Sequence, residues 1–357
     1  MSRRCGDGPG AGSGLPFVPP SGMLVAMLKG PSTPGSDAAA SATRLRVGAV
    51  QVACENGRIH ANLAGALPWV EQAAERGAEL VLLPEFLAAG YVFSAAIWDG
   101  AEPRNGPTVQ WLRTHARRLR VWLGATFLEA EGADFFNTFV LIGPDGEEGQ
   151  RVRKQTPAFF ETFFTRGEAG SHTTSTPFGK VGVGICYENQ LAFLRRLLHQ
   201  QNVDLVLMPH SAPTPAPRPY LPRYFVELWD RMVSEAALAT ATELGVPAVM
   251  TNKCGAWSSP LPLTPDTWNG VFPGNATIVD GDGTVKAQLG AEPGVIVEDV
   301  LLDPARKRRV APAVYGRWSR PTPWFANTAQ LVEAEGALWY ALSRERRRRA
   351  REVGQSR

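Results

Sequence analysis

The sequence is poor in cysteine and contains no long apolar run, and each shortage excludes a class of protein. Its four cysteines lie far apart in 357 residues, with no CxxC pair and no histidines at ligand spacing. Neither a metal site nor a disulfide framework is therefore expected, and a reducing, cytoplasmic location is favoured. Because no stretch of about 20 apolar residues occurs, neither a transmembrane helix nor a membrane partner is expected.

An excess of charge of one sign is also missing. The 37 Lys and Arg residues are nearly balanced by 34 Asp and Glu residues, which leaves a net charge of +3. This balance gives little support for a nucleic-acid partner. With 44% hydrophobic residues the chain can bury a large core, and a small-molecule substrate is the expected partner.

Residues 1–43 differ in composition from the rest of the chain. They are dominated by Gly, Pro, Ser and Ala, which predicts a disordered leader, and they lack the continuous apolar core of a signal peptide. Met23 and Met27 lie inside this stretch, so a start site placed too far upstream explains it equally well.

From Leu45 to Pro304 short β-like runs alternate with helical stretches, which predicts one α/β domain over residues 44–304. Several of the runs are apolar at every position, as in strands covered on both faces. The predicted strands are Leu45–Ala53, Glu79–Pro84, Val121–Leu128, Asn137–Ile142, Val181–Cys186, Val203–Pro209, Pro247–Asn252, Ala276–Val279 and Val295–Val300.

Turns and helices complete the predicted domain. Pro144-Asp145-Gly146 and Asp280-Gly281-Asp282-Gly283 predict hairpins, so the sheet is expected to be mixed. Helical patterns cover Pro107–Leu119, Leu191–Gln200 and Val226–Leu244. The tail, residues 305–357, contains several aromatic residues and the basic run Arg344–Arg351. We expect it to dock on the domain or on a second subunit, with the arginines on a solvated helix face.

A thiol, a carboxylate and an ammonium each follow a strand-like segment. Cys186 ends an apolar strand, where catalytic groups of open α/β sheets commonly lie, although a lone cysteine is more often a buried small hydrophobe. Glu85 directly follows Leu80–Pro84, and Lys154 follows a predicted hairpin arm. Together these three groups supply what nucleophilic acyl transfer needs.

The motifs around these residues resemble the carbon-nitrogen hydrolase (nitrilase and amidase) superfamily. The resemblance is distributed, in the family's order, over Val50-Gln51, Pro84-Glu85, Asn137 through Gly146, Arg153-Lys154, Glu161 with Gly167, and Gly184 through Glu188. It implies a four-layer αββα sandwich with mixed sheets that associates as a homodimer or a larger homo-oligomer. It also implies a catalytic set of Glu85, Lys154 and Cys186, with Glu161 as a second glutamate, and no cofactor is needed.

The chemistry of these groups suggests their roles. Glu85 would take the Cys186 proton, protonate the departing amine and later activate water, while Lys154 and the Tyr187 backbone N–H would stabilise the oxyanion. Glu161 would hold Lys154 or the substrate amide in place; the alternative is a solvent-facing residue at a helix start.

The subclass stays open between several reactions. A small amide or N-carbamoyl compound is the first expectation for the substrate, followed by a nitrile. A soluble acyl or amide transferase and a catalytically silent scaffold are the remaining alternatives. Nitrilases usually carry Trp after the cysteine and many amidases and carbamoylases carry a Pro-Glu pair shortly after it, whereas this chain has Tyr187 and no such pair.

Candidate substrate-binding residues follow strand ends or lie beside the catalytic segments. For each of them a core-packing role is about as compatible with the sequence. The Pro-rich loop, residues 213–222, is expected to shape the entrance. The candidates are Tyr91, Phe160, Tyr187, His210 and Trp257.

Overall fold

The computed structural model describes residues 41–355, so residues 1–40 of the predicted leader lie outside the described part. The predicted α/β fold with mixed sheets is confirmed, and each predicted strand overlaps an observed one. The strands in chain order are β1 (Thr43–Gln51), β2 (Leu80–Leu82), β3 (Ala101–Pro103), β4 (Trp122–Glu131), β5 (Asp134–Ile142), β6 (Val152–Arg153), β7 (Thr173–Thr176), β8 (Gly179–Val183), β9 (Leu205–Pro209), β10 (Thr214–Pro215), β11 (Ala248–Thr251), β12 (Cys254–Pro260), β13 (Thr267–Pro273), β14 (Thr277–Val279), β15 (Val285–Gln288) and β16 (Gly294–Leu302).

Two large sheets form the body of the described chain. One has the order β16-β1-β2-β4-β5-β6, with β3 also paired to β4, and the other has the order β15-β14-β11-β9-β8-β7. Parallel pairs such as β1 with β2 and β8 with β9 occur beside antiparallel pairs. The two predicted turns join the antiparallel pairs β5/β6 and β14/β15, as expected.

The helices flank these sheets. They are α1 (Ile59–Glu75), α2 (Pro107–Leu119), α3 (Ala192–Gln200), α4 (Arg223–Ser234), α5 (Ala236–Leu244), α6 (Ala329–Leu342) and α7 (Arg344–Gln355). The helical pattern over Val226–Leu244 is divided between two helices, because Glu235 leaves helical geometry (φ −90°, ψ 0°) and separates α4 from α5.

Alternating side chains of the strands produce four layers. Leu82 and Leu207 belong to the core between the two sheets, whereas their neighbours face outward. Val81 belongs to a core shared with α1 and α2, and Met208 belongs to one shared with α3 and α5. The layers are therefore helix, sheet, sheet and helix.

The remaining elements of the described chain are a small third sheet and the tail. The small sheet has the order β10-β13-β12. In the tail, Gly336 of α6 lies against the 3₁₀ turn Phe159–Phe163, and the Tyr340 hydroxyl accepts a hydrogen bond of 2.8 Å from the Phe135 N–H. Arg346 of α7 forms an ion pair with Asp134. In residues 41–355 no helix is long and apolar enough to cross a membrane.

Candidate active site

Cys186 lies on a strained turn just beyond β8. Its φ of +52° is unusual for a residue with a side chain, and it opens the 3₁₀ turn Cys186–Gln190. The Asn189 amide nitrogen donates to the carbonyl oxygens of Gly184 at 2.7 Å and Cys186 at 3.0 Å. A Cβ on Gly184 would lie 2.0 Å from Asn189 Oδ1, so only glycine fits there. This turn fixes the direction of the thiol.

The Glu85 carboxylate is fully buried and hydrogen-bonded on both oxygens. Ser211 N–H donates to Oε2 at 2.8 Å, and Asn137 Nδ2 donates to Oε1 at 2.7 Å. Burial acts to raise the pKa of Glu85, but the charge of Lys154 together with the interactions of Lys154, Cys186 and Asn137 leaves that pKa below its usual value. Glu85 is therefore ionised and ready to accept a proton.

Lys154 lies between two carboxylates. Its Nζ is 2.8 Å from Glu85 Oε1 and 2.6 Å from Glu161 Oε2, and its side chain is fully buried. Burial acts to lower the pKa of Lys154, whereas the charges of Glu161 and Glu85 raise it by more, so this pKa lies above its usual value. The lysine is a fixed positive charge beside the thiol.

Glu161 is buried, so the alternative of a solvent-facing helix-start residue does not hold. Its carboxylate accepts hydrogen bonds from Ala158 N–H at 3.0 Å and from Asn137 Nδ2 at 3.2 Å. Burial raises the pKa of Tyr91 well above its usual value, and the nearby Glu161 carboxylate raises it further. Burial raises the pKa of Glu161, and the charge of Glu85 raises it further against the attraction of Lys154. Glu161 thus anchors the lysine from the side opposite Glu85.

The state of the thiol follows from these neighbours. Burial raises the pKa of Cys186 well above its usual value, and the negative charge of Glu85 raises it further, against the attraction of Lys154. In the resting site the proton therefore stays on sulfur. The arrangement can transfer that proton to Glu85 as the sulfur attacks an electrophile.

Asn137 and Ser211 hold the catalytic candidates in place but were not among the predicted site residues. Asn137 bridges Glu85 and Glu161, and the Ser211 hydroxyl additionally donates to the Glu85 carbonyl at 2.6 Å. A signal existed for each, because Asn137 is an amide within the apolar strand β5 and Ser211 follows β9 at the same edge as the cysteine.

A cavity opens from Cys186, and three of the predicted substrate-binding residues line it, namely Tyr91, Phe160 and Trp257. The cavity holds about 630 Å³ of space outside atoms, its open mouth included. The geometry thus suits a small ligand next to the thiol.

The other two predicted substrate-binding residues are not among the cavity's lining residues. The Tyr187 hydroxyl donates to Glu333 Oε1 at 2.9 Å, and its ring packs on Trp318. The His210 side chain is buried, with Nε2 at 3.0 Å from Asn189 Nδ2, and burial lowers its pKa to about 4. His210 is therefore uncharged at neutral pH and supports the turn after the nucleophile.

Metal-ligand geometry is absent from the described part of the chain. Among residues 41–355, no cluster of three or more His, Cys, Asp or Glu side chains is arranged to hold a metal ion.

Comparison with known sequences identifies related proteins. The sequence profile of the carbon-nitrogen hydrolase family matches residues 46–309. The chain is 30% identical over 173 residues to an N-carbamoylputrescine amidase of Arabidopsis thaliana, an alignment that covers 46% of this chain and 57% of that protein. It is 28% identical over 255 residues to the omega-amidase NIT2 of Mus musculus, covering 68% and 83%. The chain thus spans little more than half the length of the first of these relatives.

Solved structures with the same fold are also found. A carbon-nitrogen hydrolase from Helicobacter pylori superposes with a TM-score of 0.61 at 18% identity, covering 85% of this chain and 96% of that one. Nit3 of Saccharomyces cerevisiae, a member of the nitrilase superfamily, gives a TM-score of 0.58 at 22% identity, covering 74% and 91%. At these identities the likeness shows the fold.

Proposed function

Since the chain belongs to the carbon-nitrogen hydrolase family, we propose that it hydrolyses the carbon–nitrogen bond of a small amide through a thioester on Cys186. The observation that carries this proposal is the position of Glu85. Its carboxylate forms an ion pair of 2.8 Å with the Lys154 ammonium and lies close enough to the Cys186 thiol for that thiol to help lower its pKa. A base, a nucleophile and a cation thus lie together, as acyl transfer requires.

The first half of the proposed reaction forms the acyl-enzyme. Cys186 Sγ attacks the amide carbon while its proton moves to Glu85, and the C=O electron pair becomes an oxyanion. Lys154 and the Tyr187 backbone N–H stabilise that oxyanion; one such donor is typically worth a factor of about 10²–10³ in rate. Glu85 then gives the proton to the nitrogen, the C–N bond breaks, and ammonia or an amine leaves.

The second half releases the acid. A water molecule attacks the thioester carbon and transfers a proton to Glu85, and collapse of the oxyanion breaks the C–S bond. The proton returns from Glu85 to sulfur, which restores the resting site. The overall change is amide plus water to carboxylic acid plus ammonia or amine.

Glu161 acts in this scheme as a positioning residue. It lies 2.6 Å from Lys154 Nζ and is itself fixed by Ala158 and Asn137. With a carboxylate on each side, the lysine keeps its charge and cannot swing away when the oxyanion forms. We therefore assign Glu161 to holding Lys154.

The proposal is tested by measuring ammonia release from primary amides, N-carbamoyl compounds and nitriles. Wild-type protein is compared with Cys186→Ala and with Cys254→Ala, which removes another buried thiol that does not line the cavity. Release from one substrate class that disappears in Cys186→Ala and persists in Cys254→Ala is expected. Undiminished release from Cys186→Ala would overturn the proposal.

Trapping of the intermediate gives a second readout. Intact-mass measurement of wild-type protein quenched with acid during turnover is expected to show an acyl adduct that hydroxylamine removes, and Cys186→Ala should show none. Transfer of the acyl group to an added amine, in preference to water, would instead identify a transferase.

A further inference from the structure

The wall of the cavity next to Cys186 is almost entirely apolar. It is assembled from the loop after Glu85, the turn Phe159–Phe163, the helix α4 and the hairpin β12/β13. Their rings form a continuous surface: Phe160 contacts both Phe93 and Trp268 with ring centroids 5.6 Å apart, and Phe93 also contacts Trp257 at 5.6 Å. Among the described residues that line this cavity, none carries a charged side chain.

Most polar atoms of these side chains are engaged within the protein. Trp257 Nε1–H donates to the Tyr91 carbonyl at 2.9 Å, and Trp268 Nε1–H donates to the Tyr220 hydroxyl at 3.2 Å. The Ser211 hydroxyl donates to the Glu85 carbonyl at 2.6 Å, and burial and the nearby Glu161 carboxylate raise the pKa of Tyr91. The wall offers a ligand mainly ring faces and edges, so a charged substituent placed there would be buried without an ion-pair partner.

The catalytic carboxylates are set back from the cavity. Glu85 and Glu161 are 0% and 2% exposed and do not line it, whereas Cys186 does. The leaving nitrogen must reach Glu85 to receive its proton, and the burial of this carboxylate favours a small leaving group. The acyl substituent then occupies the aromatic cavity.

On these grounds, and resting on the proposed hydrolase function, we infer that the substrate is a primary amide whose acyl chain ends in an uncharged aromatic or bulky apolar group. The products are ammonia and the corresponding acid. The aromatic wall of the cavity selects the acyl chain of the substrate. The burial of Glu85 restricts the size of the departing amine.

The test compares amides of similar length with different ends. They are 3-phenylpropanamide, succinamate with a terminal carboxylate, 4-aminobutanamide with a terminal ammonium, and N-benzyl-3-phenylpropanamide. The expected kcat/KM for 3-phenylpropanamide exceeds that of each charged amide by about 100-fold or more, because the charge loses its hydration without gaining a partner. The N-benzyl amide is expected to be at least about 10-fold slower than 3-phenylpropanamide.

One variant is expected to weaken the selection against a carboxylate. Trp268→Arg places a cation in the wall and is expected to raise the succinamate to 3-phenylpropanamide ratio of kcat/KM about 10-fold or more. The matched control is Trp111→Arg, which changes another partly buried tryptophan, in α2 and outside the cavity, and should keep the wild-type ratio. If either variant fails to fold, the kcat/KM ratios of the wild-type protein decide whether the proposed substrate class is right.

The outcomes separate the two proposals. Cleavage of a charged amide as fast as 3-phenylpropanamide, or of the N-benzyl amide as fast as the primary amide, with both reactions lost in Cys186→Ala, would overturn this inference and leave the hydrolase function standing. Absence of ammonia release from every amide, with Cys186 unreactive toward iodoacetamide, would overturn both.

Discussion

Lys154 and Glu85 form an ion pair of 2.8 Å in which neither side chain is exposed to solvent. Such a pair stabilises little relative to apolar residues, because both charges lose their hydration, but breaking it leaves a charge buried alone. The proposed acyl-transfer chemistry gives this buried pair a role beyond stability, and the pair also makes the site sensitive to single substitutions.

We expect Lys154→Met to destabilise the fold by about 3–5 kcal/mol at pH 8, because Glu85 and Glu161 lose their shared cation. In the wild type, the lowered pKa of Glu85 contributes stability above the usual carboxylate pKa, and this contribution is lost as the pH falls. In the variant, burial raises the carboxyl pKa values instead, so the penalty should shrink at pH 5. Urea unfolding at both pH values measures it.

The matched control for this substitution is Lys307→Met, which breaks a pair of 2.6 Å with Asp204 whose side chains are partly exposed. Its cost should stay below about 1 kcal/mol at both pH values. An equal penalty for Lys154→Met at pH 5 and pH 8 would contradict the assigned charges.

Asn137→Asp keeps the shape of the side chain but replaces a donor by a third carboxylate. The new oxygen would lie near Glu85 and Glu161, which now accept bonds of 2.7 Å and 3.2 Å from Asn137. We expect kcat to fall about 100-fold at pH 8. Protonation of the new group at lower pH restores a donor, so the ratio to wild type should recover toward pH 5.5. A pH–rate profile of both proteins checks this, and a loss of kcat that does not depend on pH would argue for simple misfolding.

The control for this substitution is Asn327→Asp. The Asn327 side-chain oxygen accepts a hydrogen bond from Trp318 Nε1, which an aspartate can also accept, so this variant should match wild type.

Two helical glycines give a matched test of how the tail supports the site. A Cβ on Gly336 would lie 2.1 Å from Thr162 Oγ1, beside Glu161, whereas a Cβ on Gly65 of α1 meets nothing within 4 Å. Gly65→Ala should stabilise the protein by about 0.5–1 kcal/mol through helix propensity. Gly336→Ala should destabilise it by about 1–3 kcal/mol and lower kcat. Thermal unfolding and activity measurements of both variants test these expectations. A Gly336→Ala protein that is stabilised and fully active would refute the packing argument.

Glu102 predicts a pH dependence of stability away from the active site. Its buried carboxylate accepts a bond of 2.6 Å from Thr108 N–H at the start of α2. Burial raises the pKa of Glu102 to about 7 against the hydrogen bonds from Thr108. A raised pKa contributes stability below the usual carboxyl pKa that is lost as the pH rises through about 7.

Glu102→Gln should remove this loss, which is on the order of 2 kcal/mol between pH 5 and pH 8. Melting temperatures across that range compare it with wild type. Glu71→Gln, on a partly exposed side chain paired with Arg118, should retain the wild-type slope. If Glu102→Gln still loses stability with rising pH in parallel with wild type, Glu102 is not the cause of that pH dependence.

Sequence reasoning reached the strands because their signal is local. Apolar runs bounded by turn residues identify β2, β8 and β9 whatever they pack against, and a residue at the end of such a run lies at the sheet edge. Glu85, Cys186 and Lys154, the last after a hairpin arm, follow from this rule. Glu161 needed the resemblance to a known family, since a glutamate after a short segment is common on any surface.

The tertiary structure decided which side chains meet. Asn137 and Ser211 bond to Glu85 across sequence separations of 52 and 126 residues. In the turn where Cys186 has a φ of +52°, the Cys186 thiol lies at the cavity. The side chain of the next residue, Tyr187, instead packs against the tail. The sequence by itself determined the alternation of strands and helices, the strand ends and the types of reactive group. Only the packing of distant segments decided the hydrogen bonds, the charge states and the aromatic cavity, because burial and opposing charges act through space and not along the chain.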